Sequence, residues 1–262
     1  SGKKRENKKA RFLFFLRRKL PFLRRSAIIR GKTGGRNMHY HIGNMLIHQE
    51  FQSGKSCPLC RIRNILENRL AEQYLNDAVM EDDQRKKVNE RGFCAHHTQM
   101  MLARKNKLSL ALQHVTRITT LKGKLEVTDD AKRARKQAEF FAHSRETCVI
   151  CDSVEESMVR YYKTIAEMFE GEQGFADRLR ACGGFCFEHY AALLEHAKYA
   201  HGKQGDYVYA LSKLQKEAVN ALLEDLYRFC SKHDYRNADM PWEGAETALL
   251  RAVSLLHGEE AK

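Results

Sequence analysis

Apolar side chains recur along this chain at three- and four-residue intervals and do not sustain a strand-like alternation. Ile62, Ile65, Leu66, Leu70 and Tyr74 form one such stripe, and Val154, Met158, Tyr161, Ile165 and Phe169 form another. That spacing puts the apolar residues on one face of a helix, so both segments read as helices with core-facing stripes. Two later runs repeat the period: Leu108, Leu112, Val115, Ile118 and Leu121, then Leu211, Leu214, Ala218, Leu222, Leu226 and Phe229. Near the end, Asp239-Met240-Pro241-Trp242-Glu243 has a helix-start composition, followed by Ala245, Leu249, Val253 and Leu256 on one face. This terminal helix is expected to pack across the preceding helices and bury Trp242. Lys122 to Glu139 is charged with few large apolar residues and reads as a solvated connector helix. The pattern predicts an all-α chain.

Composition narrows the class. Of 262 residues, 43% are hydrophobic and 30% charged, with 3 prolines, which fits a folded globular chain rather than a disordered or collagen-like one. The longest uncharged apolar run, Phe12 to Leu16, is far short of the roughly 20 residues of a membrane span. The formal charge of +13 is confined to one end. Residues 1–37 hold fourteen Lys or Arg and a single acid, Glu6, whereas residues 38–262 carry thirty-two of each sign. The arm interleaves its Lys and Arg with Phe and Leu, as in KKARFLFFLRRKLPFLRR, a pattern suited to nucleic acid or an anionic membrane. A targeting presequence and an extension upstream of a natural start at Met38 are the other readings. Ser26 to Thr33, SAIIRGKT, looks like the tail of a phosphate-binding loop, but Ser26 stands where the first glycine is required.

The cysteines carry the chemistry. Cys57-Pro58-Leu59-Cys60 and Cys148-Val149-Ile150-Cys151 are CxxC pairs, each followed by Gly-Phe-Cys-x-x-His: Gly92 to His97, then Gly184 to His189. The copies lie 91 residues apart at CxxC and 92 at CxxH, an internal repeat. A tetrahedral zinc ion takes four thiolate or imidazole ligands, and CxxC with CxxH supplies three sulfurs and one nitrogen. Spacing of i, i+3 sets both members of a pair on one side of a helical turn. If those turns open helices, the amide dipoles there favour thiolate. Pairing within each copy predicts two Cys3His zinc sites, Cys57, Cys60, Cys94 and His97, then Cys148, Cys151, Cys186 and His189. An iron–sulfur cluster is the alternative cofactor, and buried or redox thiols and disulfides are the competing readings. Cys182, Cys230 beside His233, and the tandem His39 and His41 stand outside the pattern, as packing or solvated residues or spare ligands.

The architecture that follows has tandem duplicated helical units, each with a Cys3His site, plus a C-terminal helix. Residues 38–125 form the first unit, 126–147 the connector and 148–262 the second unit, behind the basic arm 1–37. In each unit an outgoing helix starts at CxxC, and a partly extended return brings CxxH back to the same end. Gly92, Gly183 and Gly184 mark the turn before each second ligand pair.

Met38-His39-Tyr40-His41-Ile42, Cys57-Pro58-Leu59-Cys60, Val79-Met80-Glu81, Val88-Asn89, Gly92-Phe93-Cys94, Leu108 to Leu112, Asp234-Tyr235-Arg236-Asn237 and Pro241-Trp242 together resemble the bacterial domain of unknown function 6062 family. The resemblance covers about residues 38 to 262. It implies paired cysteine motifs and no established activity. Some members carry a transporter substrate-binding label, which the helical pattern of this chain does not support.

The catalytic signatures GxSxG, HExxH, a complete P-loop and the Rossmann glycine fingerprint are missing. The expectation is a cytoplasmic, non-catalytic protein with two structural zinc ions stapling a surface for a protein partner. The alternatives are an iron–sulfur or thiol-based redox sensor, and an adaptor that uses residues 1–37 to hold nucleic acid or an anionic membrane.

Overall fold

In the computed structural model, which describes residues 39–52, 56–237 and 239–259, every regular element is helical. The helices are α1 (His39–Phe51), α2 (Pro58–Leu75), α3 (Asp82–Arg91), α4 (Ala95–Leu102), α5 (Lys107–Lys122), α6 (Ala131–Ser144), α7 (Val149–Gly171), α8 (Phe175–Ala181), α9 (Phe187–Glu195), α10 (Gln204–Lys232) and α11 (Ala248–His257). Short 3-10 turns occur at Asp77–Val79, Ala197–Lys203, Tyr235–Asn237 and Ala245–Thr247. The basic arm with its Ser26–Thr33 stretch, Met38, and the side chains of His39 and His41 lie outside the described residues.

The core is built around α7. Ile150, Val154, Met158, Ile165 and Ala166 recur on one face and are fully buried, with Phe169 nearly so. Burying each of the large side chains stabilises the fold by about 1.5–3 kcal/mol. Helix α7 packs on α1, α2, α8, α9 and the turn Ala197–Lys203. A single apolar cluster joins these elements, with Ile47 and Phe51 of α1, Leu59 and Ile62 of α2, Leu193 of α9, and Tyr207 and Leu211 of α10.

Helices α2 and α7 run antiparallel, overlapping along their first halves. Arg63 pairs with Glu155, Glu67 stands 3.9 Å from His97 close to the start of α7, and Tyr162 lies against His189 close to the start of α2. Moving forward along α2 thus means moving back along α7. Each outgoing helix then receives its return segment. Eighteen residues of α2 span about 27 Å, but the return is itself helical, and the ten residues of α3 recover only about 15 Å of that. The chain comes back to the middle of its own outgoing helix, not to its start. The seven-residue α8 does the same for the 23-residue α7.

Two faces differ from expectation. On α5, the buried positions are Leu110, Gln113 and Arg117, and the stripe of Leu108, Leu112, Val115 and Ile118 points outward. Polar groups win the inner face because they bind main chain: Gln113 Nε2 donates to the Tyr74 carbonyl at 2.6 Å and Arg117 Nη1 to that of Asn89 at 2.5 Å. Helix α11 seats itself with Ala248, next to buried Ala245, while Leu249, Val253 and Leu256 stay exposed. Trp242 is not buried either: it retains 36% exposure, flanked by Phe229 and His233. In the charged connector residues 123–130 are not helical, and the helix that follows, α6, buries none of its residues.

Gly184 lies under α10 with φ +92°, and a Cβ there would stand 2.8 Å from the Ala218 Cβ. Gly174 has φ +82° with open space around it. Left-handed backbone costs a non-glycine residue about 1–2 kcal/mol. Gly174→Ala should therefore lose about that much in denaturant unfolding, and Gly184→Ala about 3 kcal/mol or more because it adds a clash with the Ala218 Cβ. Equal losses would contradict the close packing of this turn on α10.

Candidate metal centres

Four helices in this fold begin on a cysteine. Cys57, Cys94, Cys148 and Cys186 are the N-cap residues of α2, α4, α7 and α9, and none has a side-chain capping hydrogen bond. In each case the second motif residue, Cys60, His97, Cys151 or His189, sits three positions later, in the first helical turn. The carbonyl of each N-cap cysteine accepts the first helical hydrogen bond, from Arg61, Thr98, Asp152 and Tyr190 at 2.9–3.4 Å. The unpaired amides of a helix start carry partial positive charge, so all four sulfurs at the caps sit where anions are favoured.

The helix starts meet in pairs, and the pairing is crossed. Cys57, Cys60, Cys186 and His189 form one quartet, and Cys94, His97, Cys148 and Cys151 the other, with all ligand atoms of each within 4.8 Å of one another. This corrects the expectation that each CxxC closes on the CxxH of its own copy. The cause is the helical return described above: it leaves each CxxH beside the middle of its own outgoing helix, where the antiparallel partner begins. All eight expected residues take part: each CxxC and each CxxH stays together as a pair, and only the matching of CxxC with CxxH is exchanged.

The distances suit one ion per quartet. A tetrahedral zinc ion with bonds of about 2.3 Å to sulfur and about 2.0–2.1 Å to nitrogen sets S···S edges of about 3.8 Å and S···N edges of about 3.5 Å. In the first quartet Nδ1 of His189 lies 3.6, 3.3 and 3.1 Å from the sulfurs of Cys57, Cys60 and Cys186, and Cys60 and Cys186 are 3.6 Å apart. In the second, Nδ1 of His97 lies 3.2, 3.4 and 3.4 Å from Cys94, Cys148 and Cys151, and Cys94 and Cys151 are 3.8 Å apart. None of the eight cysteines is in a disulfide.

Without a cation, three sulfurs this close cannot all hold charge. Cys57 is pushed up by burial and then by its sulfur neighbours, and Cys60 is pushed up to about 12, chiefly by its contact with Cys186. Cys186 is held low by contacts from Cys57 and Cys60. In the other quartet Cys151 is pushed up by Cys148 and Cys94, while Cys94 is held low by Cys148 and Cys151. Burial pushes His97 down, but the sulfurs of Cys148 and Cys94 outweigh it and raise its pKa to about 9. The site thus recruits a positive charge from its own imidazole, the role a divalent ion fills better.

Residues that sequence reasoning did not single out hold the ligand segments. Arg61 Nη1 donates to Ser56 O and Oγ, both at 2.7 Å, and Arg61 Nε to Glu50 at 2.7 Å, which fixes the approach to Cys57. Gln215 of α10 clasps Phe185, accepting from its N–H at 3.0 Å and donating to its carbonyl at 2.9 Å. The Val149 amide donates to the Gly92 carbonyl at 3.1 Å, and Arg91 pairs with Asp152, tying the Gly92 turn to the start of α7. From the far end of the chain, the Glu259 amide donates to the Cys60 sulfur at 3.4 Å. The first quartet is buried throughout, whereas Cys94 and Cys151 of the second are partly exposed. Cys182 and Cys230 belong to neither group. Cys182 is packed in the core, its thiol pushed up to about 11 by burial, and Cys230 is exposed.

The family of unknown function DUF6062 matches residues 38–262. The chain belongs to that family. The match leaves out the basic arm and takes in both quartets. No curated protein and no solved structure matches the chain, so the chemistry of this DUF6062 member rests on its own geometry. Among its described residues no helix is long and apolar enough to cross a membrane.

Crossed grouping makes a stoichiometric prediction. Cys60→Ser with Cys186→Ser removes two ligands from one quartet and should leave one bound ion per chain. Cys60→Ser with Cys94→Ser damages both and should leave none. Elemental analysis of the two purified double variants decides it, and the reverse result would restore pairing within each copy.

Proposed function

We propose that this chain binds two structural zinc ions, one in each crossed quartet, and uses them to hold a non-catalytic helical scaffold for a protein partner. The observation that carries the reading is the match between the S···S and S···N separations and the edges of a tetrahedron around one ion. An iron–sulfur cluster places several atoms between its ligands and would spread them farther than this. Four protein ligands leave no open position for a substrate or activated water, which speaks against hydrolysis at the metal. The thiolates need a reducing compartment, in keeping with the cytoplasm. The outward stripe of Leu108, Leu112, Val115 and Ile118 on α5 is the type of apolar surface that association covers.

Protein purified without air should be colourless and carry two zinc ions per chain. A brown chromophore with iron would replace this reading by the redox one. Structural zinc is worth about 10–16 kcal/mol in small domains, as much as the whole stability of a typical protein. Chelation should therefore abolish cooperative thermal unfolding followed by circular dichroism; an unchanged melting curve would argue against a structural role. Every ligand binds in its deprotonated form, so acidification should release zinc and alkalinity up to pH 8 should not. A chelator dye reads the release, and retention of both ions at pH 3 would count against thiolate ligation.

A further inference from the structure

The two quartets differ on the far side of their imidazoles. In both, Nδ1 faces the sulfurs, and Nε2 is buried with no hydrogen-bond partner. Behind His97 stands Glu67, from the middle of α2, with Oε1 3.9 Å from Nε2 and a side chain only 10% exposed. No ion pair or hydrogen bond reaches Nε2 of His189 among the described residues, and its ring faces Tyr162, 6.2 Å between centroids.

A carboxylate buried this deeply is costly unless it is paired. Glu67 has Arg63 Nε 3.4 Å from Oε1, but that guanidinium is shared with Glu155 at 2.5 Å and Glu188 at 3.1 Å. The exposed His96 lies 3.9 Å from Oε2. Glu67, His96 and His97 are together close enough to hold a cation. With Nδ1 of His97 turned to the sulfurs, however, its Nε2 carries the ring proton and presents an N–H to Glu67. The separation is about 1 Å beyond a hydrogen bond, within reach of a small turn of the carboxylate.

We infer that Glu67 is the positioning residue of the second centre: it accepts a hydrogen bond from the Nε2–H of His97, fixes the tautomer that leaves Nδ1 free to bind, and gives this centre a support that the His189 centre lacks among the described residues. The inference rests on the metal reading above. Partners of this kind are worth about 10–100-fold in metal affinity. The partners of Glu67 are Arg63, His96 and His97, none of them in the first quartet, so the ion there should not depend on Glu67.

The test measures zinc affinity of the full chain by competition with a chromophoric chelator, in the wild type, Glu67→Met and Glu67→Gln. It is paired with long-range proton–nitrogen NMR of the histidine rings. The wild type should bind two ions and show a slowly exchanging His97 Nε2–H. Glu67→Met should weaken one ion by about 10–100-fold, leave the other unchanged and abolish the slow exchange. Glu67→Gln, which keeps an acceptor oxygen and the side-chain volume, should recover part of the affinity. Wild-type affinity for both ions in Glu67→Met, equal weakening of both, or an unmoved Nε2–H signal would each overturn the role of Glu67 while leaving two-ion binding standing. A wild type that binds no ion would overturn the metal reading and this inference with it.

Discussion

Anionic sulfur under a helix N-terminus is the interaction on which this structure turns. Four helices open on cysteine caps, and the caps meet two by two. Each meeting brings the positive ends of two helix dipoles to a point, which favours thiolates there. Three thiolates within 5 Å, largely out of water, repel one another more than those dipoles can offset, so Cys57, Cys60 and Cys151 hold their protons tightly when no cation is present. A divalent ion would remove that conflict and turn a repulsive cluster into a cohesive one.

The crossing gives the contact its reach. Neither copy of the motif contains a whole quartet, so each ion would join segments roughly 50 to 130 residues apart in sequence. The two centres lie along the antiparallel pair α2 and α7, about ten residues of α2, or about 15 Å, apart. They pin both ends of the overlap between these helices. The buried stripe of α7 fills the space between and around them, and Gln215, Arg61 and the Glu259 amide brace the ligand turns from outside. Packing and coordination thus specify the same arrangement, which is the consistency expected of a sequence with one native state.

Much of this was legible in the residues. The three-and-four period gave the all-α class, and the spacing of CxxC and CxxH singled out the eight residues that gather in the two quartets, because metal geometry leaves a local trace of i, i+3 pairs. Partner choice leaves no such trace. It depends on whether residues 82–91 return as helix or as extended chain, and Asp82, Asp83 and the Lys/Arg-rich remainder are as compatible with a surface helix as with a loop. The outward stripe of α5 was misleading for a related reason: periodicity shows which residues share a face, not whether that face points inward. Gln113 and Arg117 took the inner face through main-chain carbonyls that only the tertiary structure supplies. Glu67 and Glu259 act on the centres from positions without any motif.

X-ray absorption at the zinc edge of the purified, full-length protein tests the central claim most directly, because it counts and identifies the atoms bound to the metal. Three sulfurs at about 2.3 Å and one nitrogen at about 2.0–2.1 Å are expected, averaged over two equivalent coordination spheres. A sphere dominated by oxygen, four sulfurs without nitrogen, or iron at short sulfide and iron distances would contradict it.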